Sequence, residues 1–575
     1  MNWTEARSEG LMHRLTDARL LILPGSALLV GYLTLVPLGL LIYGSFRSGA
    51  VGDPGATYTL ANYARAYLDP SFYRLLWNSA VYAAGTCLVA FVLGTYLAWV
   101  TERTNTPGRK FFSVVALIPF VIPGILNTIA WLLLLSPKIG LINLVLRELG
   151  GLSASPFNIY TMGGMIWVEA THLYPLVFLL MAAAFRSMDM SLEEAALASG
   201  AGVFHTFRRV TLPLMRPAMV SALLIMFVRT IESFEVPALI GIPGRISVFT
   251  SKIFLAIHQF PSDFGLAGAY GITLLVLSAV GVLIYQKSVR EGDRFATITG
   301  RGYRPRVIDL GRWRYATWTG CVGIFAATVL LPLFVLLWSS LTPYYGVPSM
   351  ELARKLTLEG YRYILSYPLA LTAFKNSFFL SMGAATGVML LTSVIAWITV
   401  KSKLPGRGLL DNLTFIPIAF PGIVLGVSLI WVSLTIFPIL YGTFWILLIA
   451  YMTRFMPYGI RATSASMIQI NRELEEAALV SGGSWAQTFR KIILPLLMPG
   501  FIAGWIYITI VSLRELSTSI LLYSPSSIVL SILAFDLWEG GQYTYVTALG
   551  ILMVLLLVIM ATIAQRLGAK IGIAH

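Results

Sequence analysis

The residues of this 575-residue chain that could carry chemistry are ionisable side chains that interrupt long apolar stretches. An ionised side chain at the centre of a bilayer costs about 2.5–3.5 kcal/mol on insertion scales, so such groups usually face a protein interior. Two interpretations are open for them. They line a hydrated path or gate for a charged solute, or they pair with each other and hold helices together. The positions are Glu169 and His172; Arg229, Glu232 and Glu235; Arg454; and Arg514 and Glu515.

Spacing and position in the chain distinguish the residues expected to line a path from those expected to form pairs. Glu169 and His172 are three residues apart, which places them on one face of a helix. For Arg229, Glu232 and Arg514, pairing between arginine and glutamate is the favoured interpretation. Glu235 and Glu515 each precede a predicted outer loop, so a role on the path is equally favoured for them. We therefore name as candidate path or gate residues Glu169, His172, Glu235, Arg454 and Glu515.

Enzymatic chemistry has no basis in this sequence. The five histidines form no cluster with metal-ligand spacing, so we predict no stable metal site. The phosphate-binding G-x-x-x-x-G-K-[ST] loop is absent, as are the H-E-x-x-H and G-x-S-x-G motifs. We predict no catalytic residue and no cofactor bound by this chain. A polytopic membrane enzyme, which should show clustered catalytic groups near one membrane face, is disfavoured.

The elements that must position these charges are transmembrane helices. A mean hydropathy of +0.79 with 12% charged residues indicates an all-α polytopic membrane protein. Lipid offers no partner to free backbone groups, so each apolar run of ~20 residues is predicted to be a helix. The twelve predicted spans are 20–43, 76–101, 111–135, 162–185, 212–238, 265–286, 316–340, 376–400, 411–435, 439–461, 495–521 and 543–565.

The basic residues predict the orientation of these spans. Most of the 41 lysines and arginines fall on one side if both termini are cytoplasmic, and cytoplasmic segments carry the excess of positive charge. The net charge of +15 is therefore attributed to topology, and no nucleic-acid partner is expected.

The chain is a tandem repeat. "WNSAVY", "TPGR" and "IPFVIPGI" in the first half match "KNSFFL", "LPGR" and "IPIAFPGI" 298 residues later. Two parallel six-helix repeats should then be related by an axis along the membrane normal, with a pathway between them. We divide the chain into a cytoplasmic segment 1–19, repeats 20–286 and 315–566, a basic linker 287–314 and a cytoplasmic tail 567–575.

One polar segment occurs in both repeats. "SLEEAALASG" begins at Ser191 and "ELEEAALVSG" at Glu473, each on the predicted cytoplasmic side before the fifth span of its repeat. Each is predicted to be a short helix that ends at a glycine. Glu194 could cap this helix with Ser191. However, Glu473 replaces Ser191 in the second copy while Glu476 persists, which favours a role for the glutamate in contacting a partner.

The spacing within these segments resembles the EAA signature of bacterial ABC-importer permeases. That signature is Glu-Ala-Ala, a glycine four residues later, and a hydrophobic residue followed two residues later by Leu-Pro. The loops 190–213 and 472–495 both match it. The matching residues are Glu194, Ala195, Ala196, Gly200, Val210, Leu212 and Pro213, and Glu476, Ala477, Ala478, Gly482, Ile492, Leu494 and Pro495.

The resemblance implies a MetI-like permease fold and a set of partners. In that family the loop forms a coupling helix that docks on a cytoplasmic ATPase, so one chain with two loops should bind two ATPase copies. ATP and Mg would be used by that partner. A periplasmic or lipid-anchored binding protein would deliver the solute, and the permease would lie in the bacterial inner membrane.

The fused two-repeat form is most similar to ferric-iron-type permeases, which makes ferric iron the expected solute. Thiamine, an aminoalkylphosphonate, a polyamine and an organic acid remain alternatives. An ion-coupled secondary transporter or channel is disfavoured because it leaves the twin polar segments unexplained.

Overall fold

The computed structural model describes residues 18–49, 51–188, 191–292, 307–402, 404–482 and 484–570. Residues 1–17, 293–306 and 571–575, which include most of the predicted N-terminal segment, the centre of the linker and the end of the tail, lie outside these ranges. Within the ranges the regular structure is helical, and β structure is limited to two isolated bridges. The prediction of an all-α polytopic membrane protein is confirmed.

The first repeat contains nine principal helices. In chain order they are α1 (Ala18–Ser45), α2 (Ser71–Arg103), α3 (Arg109–Val121), α4 (Gly124–Leu135), α5 (Met162–Ser187), α6 (Ser191–Ala198), α7 (Leu212–Ile231), α8 (Phe249–His258) and α9 (Phe264–Gly292). Shorter helices at Ala61–Tyr67 and Leu141–Gly150 lie in its connections.

The second repeat has the same sequence of elements. They are α10 (Trp313–Leu341), α11 (Pro368–Lys401), α12 (Arg407–Ala419), α13 (Gly422–Thr435), α14 (Phe444–Gln469), α15 (Glu473–Val480), α16 (Leu494–Leu513), α17 (Leu530–Glu539) and α18 (Tyr543–Lys570).

Two predicted spans are not continuous helices. In the described residues nine helices are long and apolar enough to cross a membrane, or up to eleven if each bent pair counts as one span. The bent pairs are α3–α4 and α12–α13, with bends of 98° and 110°, where the sequence predicts single helices over 111–135 and 411–435. The span predicted at 439–461 is the 26-residue helix α14, which is not among the nine.

Proline explains both bends. Ile122 and Phe420, which precede Pro123 and Pro421, have extended backbones with ψ of 127° and 108°. A proline ring clashes with a preceding residue in helical conformation, so the helix ends before it. A new helix then starts in a different direction at the glycine that follows each proline.

The fifth span of each repeat ends earlier than predicted. α7 ends at Ile231 and α16 at Leu513, whereas the sequence predicts helices to 238 and 521. The chain then forms the short, largely buried helices α8 and α17, which the sequence assigns to outer loops. The aromatic rings of Phe254 and Phe535 bring α8 and α17 together, edge to face with centroids 6.3 Å apart.

The repeated Asn-Ser pair holds these short helices in place. Ser79 Oγ accepts the Phe249 N–H at 3.2 Å at the start of α8. In the second repeat Ser377 Oγ accepts the Leu530 N–H at 2.8 Å at the start of α17. The N-terminal amides of a helix lack intrahelical partners, so these serines supply acceptors from α2 and α11.

The first helix of each repeat packs against the other repeat. Thr34 of α1 donates to the Leu413 carbonyl of α12 at 3.4 Å, and Gly44 of α1 lies against the ring of Trp431 in α13. Conversely, α10, the first helix of the second repeat, packs on α4 of the first repeat. Tyr96 of α2 donates to the Thr317 carbonyl of α10 at 2.8 Å. The two repeats are therefore interlocked around a common centre.

Candidate functional site

The five candidate path or gate residues lie around one cavity between the two repeats. Its volume is about 180 Å³, and segments of both repeats line it near the bend of α3–α4. Arg454 of this lining lies against Gly422, at the bend of α12–α13. The structure therefore brings together residues up to 346 positions apart in the sequence. Its ionisable lining is Glu169, His172, Arg229, Glu232, Glu235, Arg454, Arg514 and Glu515.

Glu169 is held by hydrogen bonds within the first repeat. The carboxylate oxygen Oε2 accepts from Tyr82 at 3.0 Å and from Ser233 at 2.9 Å, and the residue is 5% exposed. Tyr451 occupies the equivalent position of the second repeat and bonds to Ser519 at 2.8 Å. The cavity is thus chemically asymmetric although the backbone around it is repeated.

Arg454 and Glu515 form an ion pair. The Nε–Oε2 distance is 3.3 Å, and both side chains are largely buried, at 13% and 10% exposure. Thr518 ties the pair further, because its hydroxyl accepts from Arg454 at 3.1 Å and its N–H donates to Glu515 at 3.0 Å. These two candidate path residues partly neutralise each other.

The other two arginines contact the opposite repeat. Arg229 of α7 lies 5.7 Å from the ring centroid of Tyr458 in α14. Arg514, just after α16, donates to the carbonyl of Phe120 in α3 and stacks over its ring at 4.6 Å. Cation–π contacts of this kind stabilise by about 0.5–2 kcal/mol, more when desolvated. The arginine–glutamate pairing favoured from the sequence stays a prediction, and Glu232 does attract Arg229 electrostatically.

Two polar atoms of the cavity have no hydrogen-bond partner among the described residues. They are Oε1 of Glu232 and Nδ1 of His172. Glu232 is 6% exposed, so its free carboxylate oxygen is not satisfied by bulk solvent. Buried polar groups are normally paired, so these atoms are available to a guest or to water in the cavity.

Glycines at the helix bends make room for the charges. A Cβ on Gly124 would lie 3.4 Å from Nε2 of His172 and 3.7 Å from Cδ of Glu235. A Cβ on Gly422 would collide with the Arg454 guanidinium and lie 2.8 Å from Cβ of Ser517. The sequence "PG" in both repeats is therefore a site feature as well as a helix break.

The twin polar segments form the short helices α6 and α15 outside the spans. Gly200 and Gly482 follow them with φ of +86° and +83°, a conformation that favours glycine. Glu194, Ala195, Glu476 and Ala477 are exposed, and Ala196 and Ala478 are half-buried. Leu212-Pro213 and Leu494-Pro495 begin α7 and α16, with proline in the first turn as expected. The side chain of Ser191, the proposed capping partner, lies outside the described residues.

The neighbouring glutamates, which the sequence reasoning missed, attach these helices to the membrane domain. Glu193 accepts from Thr211 at 2.6 Å and pairs with Arg103 at 3.3 Å. In the second repeat Glu475 accepts from the Trp397 indole at 3.2 Å. A signal was present, because each segment reads Glu-Glu-Ala-Ala and both glutamates recur.

A helical membrane protein of two interlocked repeats, with a charged central cavity and paired helices outside the membrane, is a transport protein of the permease class. The chain belongs to the family of binding-protein-dependent transport system inner membrane components, whose model matches residues 90–290 and 389–572. It is thus a multi-pass inner membrane permease of an ABC importer and not itself an enzyme.

Relatives match across both repeats. The ferric transport system permease protein FbpB of Actinobacillus pleuropneumoniae is 26% identical over 512 residues, which cover 88% of this chain and 73% of that protein. The Fe(3+)-transport system permease protein FbpB 2 of Haemophilus influenzae is 23% identical, over 84% of this chain and 88% of its own. A crystal structure of a bacterial alginate-importing ABC transporter aligns with a TM-score of 0.36 at 17% identity, over 51% of this chain and 99% of its own.

Proposed function

We propose that this chain forms the translocation path for ferric iron between its two repeats. The observation that carries the proposal is that two ferric transport permeases align with 88% and 84% of the chain, through both repeats. The cavity supports it, because four carboxylates face three guanidinium groups there. Carboxylate oxygens suit hard cations, among which ferric iron belongs.

The proposal includes two copies of a cytoplasmic ATPase and a periplasmic or lipid-anchored binding protein. The exposed faces of α6 and α15 support a paired partner, because Leu192 and Leu474 have matching exposures of 45% and 44%. The exposed alanines permit close approach of a partner groove. ATP and Mg belong to the ATPase, and the permease supplies the docking helices and the path.

Reconstitution tests this function. The permease is placed in liposomes with its ATPase, and binding protein loaded with radioactive ferric iron is added outside. We expect iron uptake that requires ATP and stops with an ATPase variant that binds but does not hydrolyse it. ATP-dependent uptake of thiamine, a polyamine, an aminoalkylphosphonate or an organic acid, with none of iron, would overturn the choice of solute and retain the permease role.

The orientation is part of the proposal and has its own test. With both termini cytoplasmic, α6 and α15 face the ATPase. A reporter that is active only in the periplasm should be silent when fused after residue 575 and active when inserted at the exposed Ile439, between α13 and α14. The reverse pattern would invert the topology.

A further inference from the structure

The polar groups of the central cavity are not equally free to bind a passing solute. Arg454 and Glu515 are paired, and Glu169 accepts two hydrogen bonds. Arg514 donates to a carbonyl, and Arg229 lies over an aromatic ring. Each guanidinium therefore already has an electron-rich neighbour.

Glu232 differs from these residues. Its Oε1 is buried and has no hydrogen-bond partner among the described residues, and its side chain lines the cavity. Glu235 lies three residues further on, at the start of the helical turn that continues into Pro237–Gly241, and its carboxylate accepts from backbone N–H groups alone, including a long bond of 3.4 Å from Phe234 to Oε2. Both carboxylates thus retain acceptor capacity that the protein does not use.

A buried carboxylate oxygen without a hydrogen-bond partner is unfavourable, and for Glu232 the attraction of Arg229 and Arg454 does not offset the loss of hydration. The position of Glu232 just after the end of α7 adds to this, since unpaired carbonyls at a helix C-terminus favour cations and disfavour anions. A positively charged guest would relieve both effects. An anionic guest would be repelled by these carboxylates, and the arginines that could attract it already contact other groups.

We propose that Glu232 and Glu235, which line the same cavity, receive a hard metal cation transiently through carboxylate oxygens as it passes along the path. The inference rests on the proposed function for the identity of the cation and on the cavity for its charge. So few carboxylate ligands hold a cation weakly, and no group of three or more histidine, cysteine or acidic side chains in the described residues forms a metal-binding cluster. Weak binding suits a site that must release its cargo.

Terbium luminescence tests the site directly. Tb³⁺ is a hard trivalent cation, and its emission is sensitised by nearby tyrosines, which Tyr458 and Tyr507 supply in the cavity lining. Tb³⁺ alone is titrated into the permease in nanodiscs. We expect saturable sensitised emission that falls at least about tenfold in Glu232→Gln/Glu235→Gln, because a neutral amide is a weaker ligand for a hard cation.

Matched variants separate this effect from general disruption. Glu351→Gln changes an exposed carboxylate outside the spanning helices and should leave the emission unchanged. Glu232→Asp keeps the carboxylate and should retain most of the binding. Binding that is retained in Glu232→Asp and lost in Glu232→Gln/Glu235→Gln shows that the carboxylates, and not the fold, account for the loss. Equal emission from wild type and Glu232→Gln/Glu235→Gln would overturn the cation site.

The transport assay distinguishes this inference from the proposed function. We expect iron uptake by Glu232→Gln/Glu235→Gln to fall about tenfold while binding protein still stimulates ATP hydrolysis. Unchanged uptake in that variant would overturn the site and leave ferric import intact. If wild type imports no iron but Tb³⁺ binding still depends on Glu232, the cation site stands and the choice of iron fails. Uptake that is unchanged in Glu232→Gln/Glu235→Gln but lost in Arg514→Gln would indicate an anionic cargo and overturn the inference.

Discussion

Arg103 and Glu193 form a buried ion pair that joins the spanning helix α2 to the short helix α6. The Nη2–Oε1 distance is 3.3 Å, with 3% and 12% side-chain exposure. Arg103 is the last residue of α2, and the same Glu193 oxygen accepts from Thr211, which precedes α7. One carboxylate therefore connects α6 to two membrane helices, so a force applied to α6 reaches both.

Glu193 should act as a positioning residue for coupling. Glu193→Ala leaves Arg103 buried without this partner, and breaking a buried pair in this way costs about 3–5 kcal/mol. We expect a lower thermal midpoint and more ATP hydrolysed per solute imported. Glu193→Gln should keep the Thr211 hydrogen bond and show a smaller change in the same ratio. A lower midpoint with an unchanged ratio would reduce Glu193 to a purely structural role.

The adjacent exposed glutamates should behave differently. Glu194→Ala combined with Glu476→Ala removes charge from the proposed docking faces of α6 and α15, and we expect an inserted, stable permease that retains less ATPase on co-purification. Glu351→Gln is the control for loss of an exposed carboxylate. Undiminished ATPase retention together with undiminished transport would contradict the docking role.

The two glycines at the helix bends should tolerate a methyl group unequally. Gly422→Ala places Cβ against Arg454 and Ser517, and such overpacking typically costs about 1–3 kcal/mol. At Gly124 the nearest atom is 3.4 Å away, so Gly124→Ala should cost much less. Thermal unfolding of both variants in one detergent compares them. Equal losses would mean that Arg454 moves aside freely.

The serines that cap the short buried helices should contribute to stability. Ser377→Ala removes the acceptor for the Leu530 N–H, and an unsatisfied buried donor costs about 1–3 kcal/mol. Ser79→Ala should have a smaller effect, because its bond to Phe249 is longer, 3.2 Å against 2.8 Å. Ser366→Ala, an exposed position, serves as the control in the same unfolding assay. A larger loss for Ser79→Ala would show that water replaces the second-repeat acceptor.

The sequence predicted the membrane class and the duplication correctly because hydropathy and repetition depend on local composition. It did not predict that Pro123 and Pro421 would bend two spans. Their apolar runs are long enough for one helix each, and the count of apolar residues carries no direction. The residue before each proline was the available signal.

The short helices α8 and α17 were missed for a different reason. Apolar runs of about 10–14 residues are too short to span a bilayer and are often buried or re-entrant. Because the spans were predicted from the length of apolar runs, these shorter segments were placed in loops. The partner of each buried charge also lay beyond the sequence, because Arg514 meets Phe120 only after the repeats interlock.

That interlocking has a consequence for biosynthesis. α1 leaves the ribosome long before the second repeat, yet Leu413 and Trp431, which it contacts, are made hundreds of residues later. α1 is therefore in the membrane before the helices that form much of its final interface have been synthesised, and this state lasts until most of the chain has been translated. A ribosome that stalls in the second repeat would release a membrane-inserted fragment in which α1 lacks its packing partners. We expect membrane quality-control proteases to degrade that fragment.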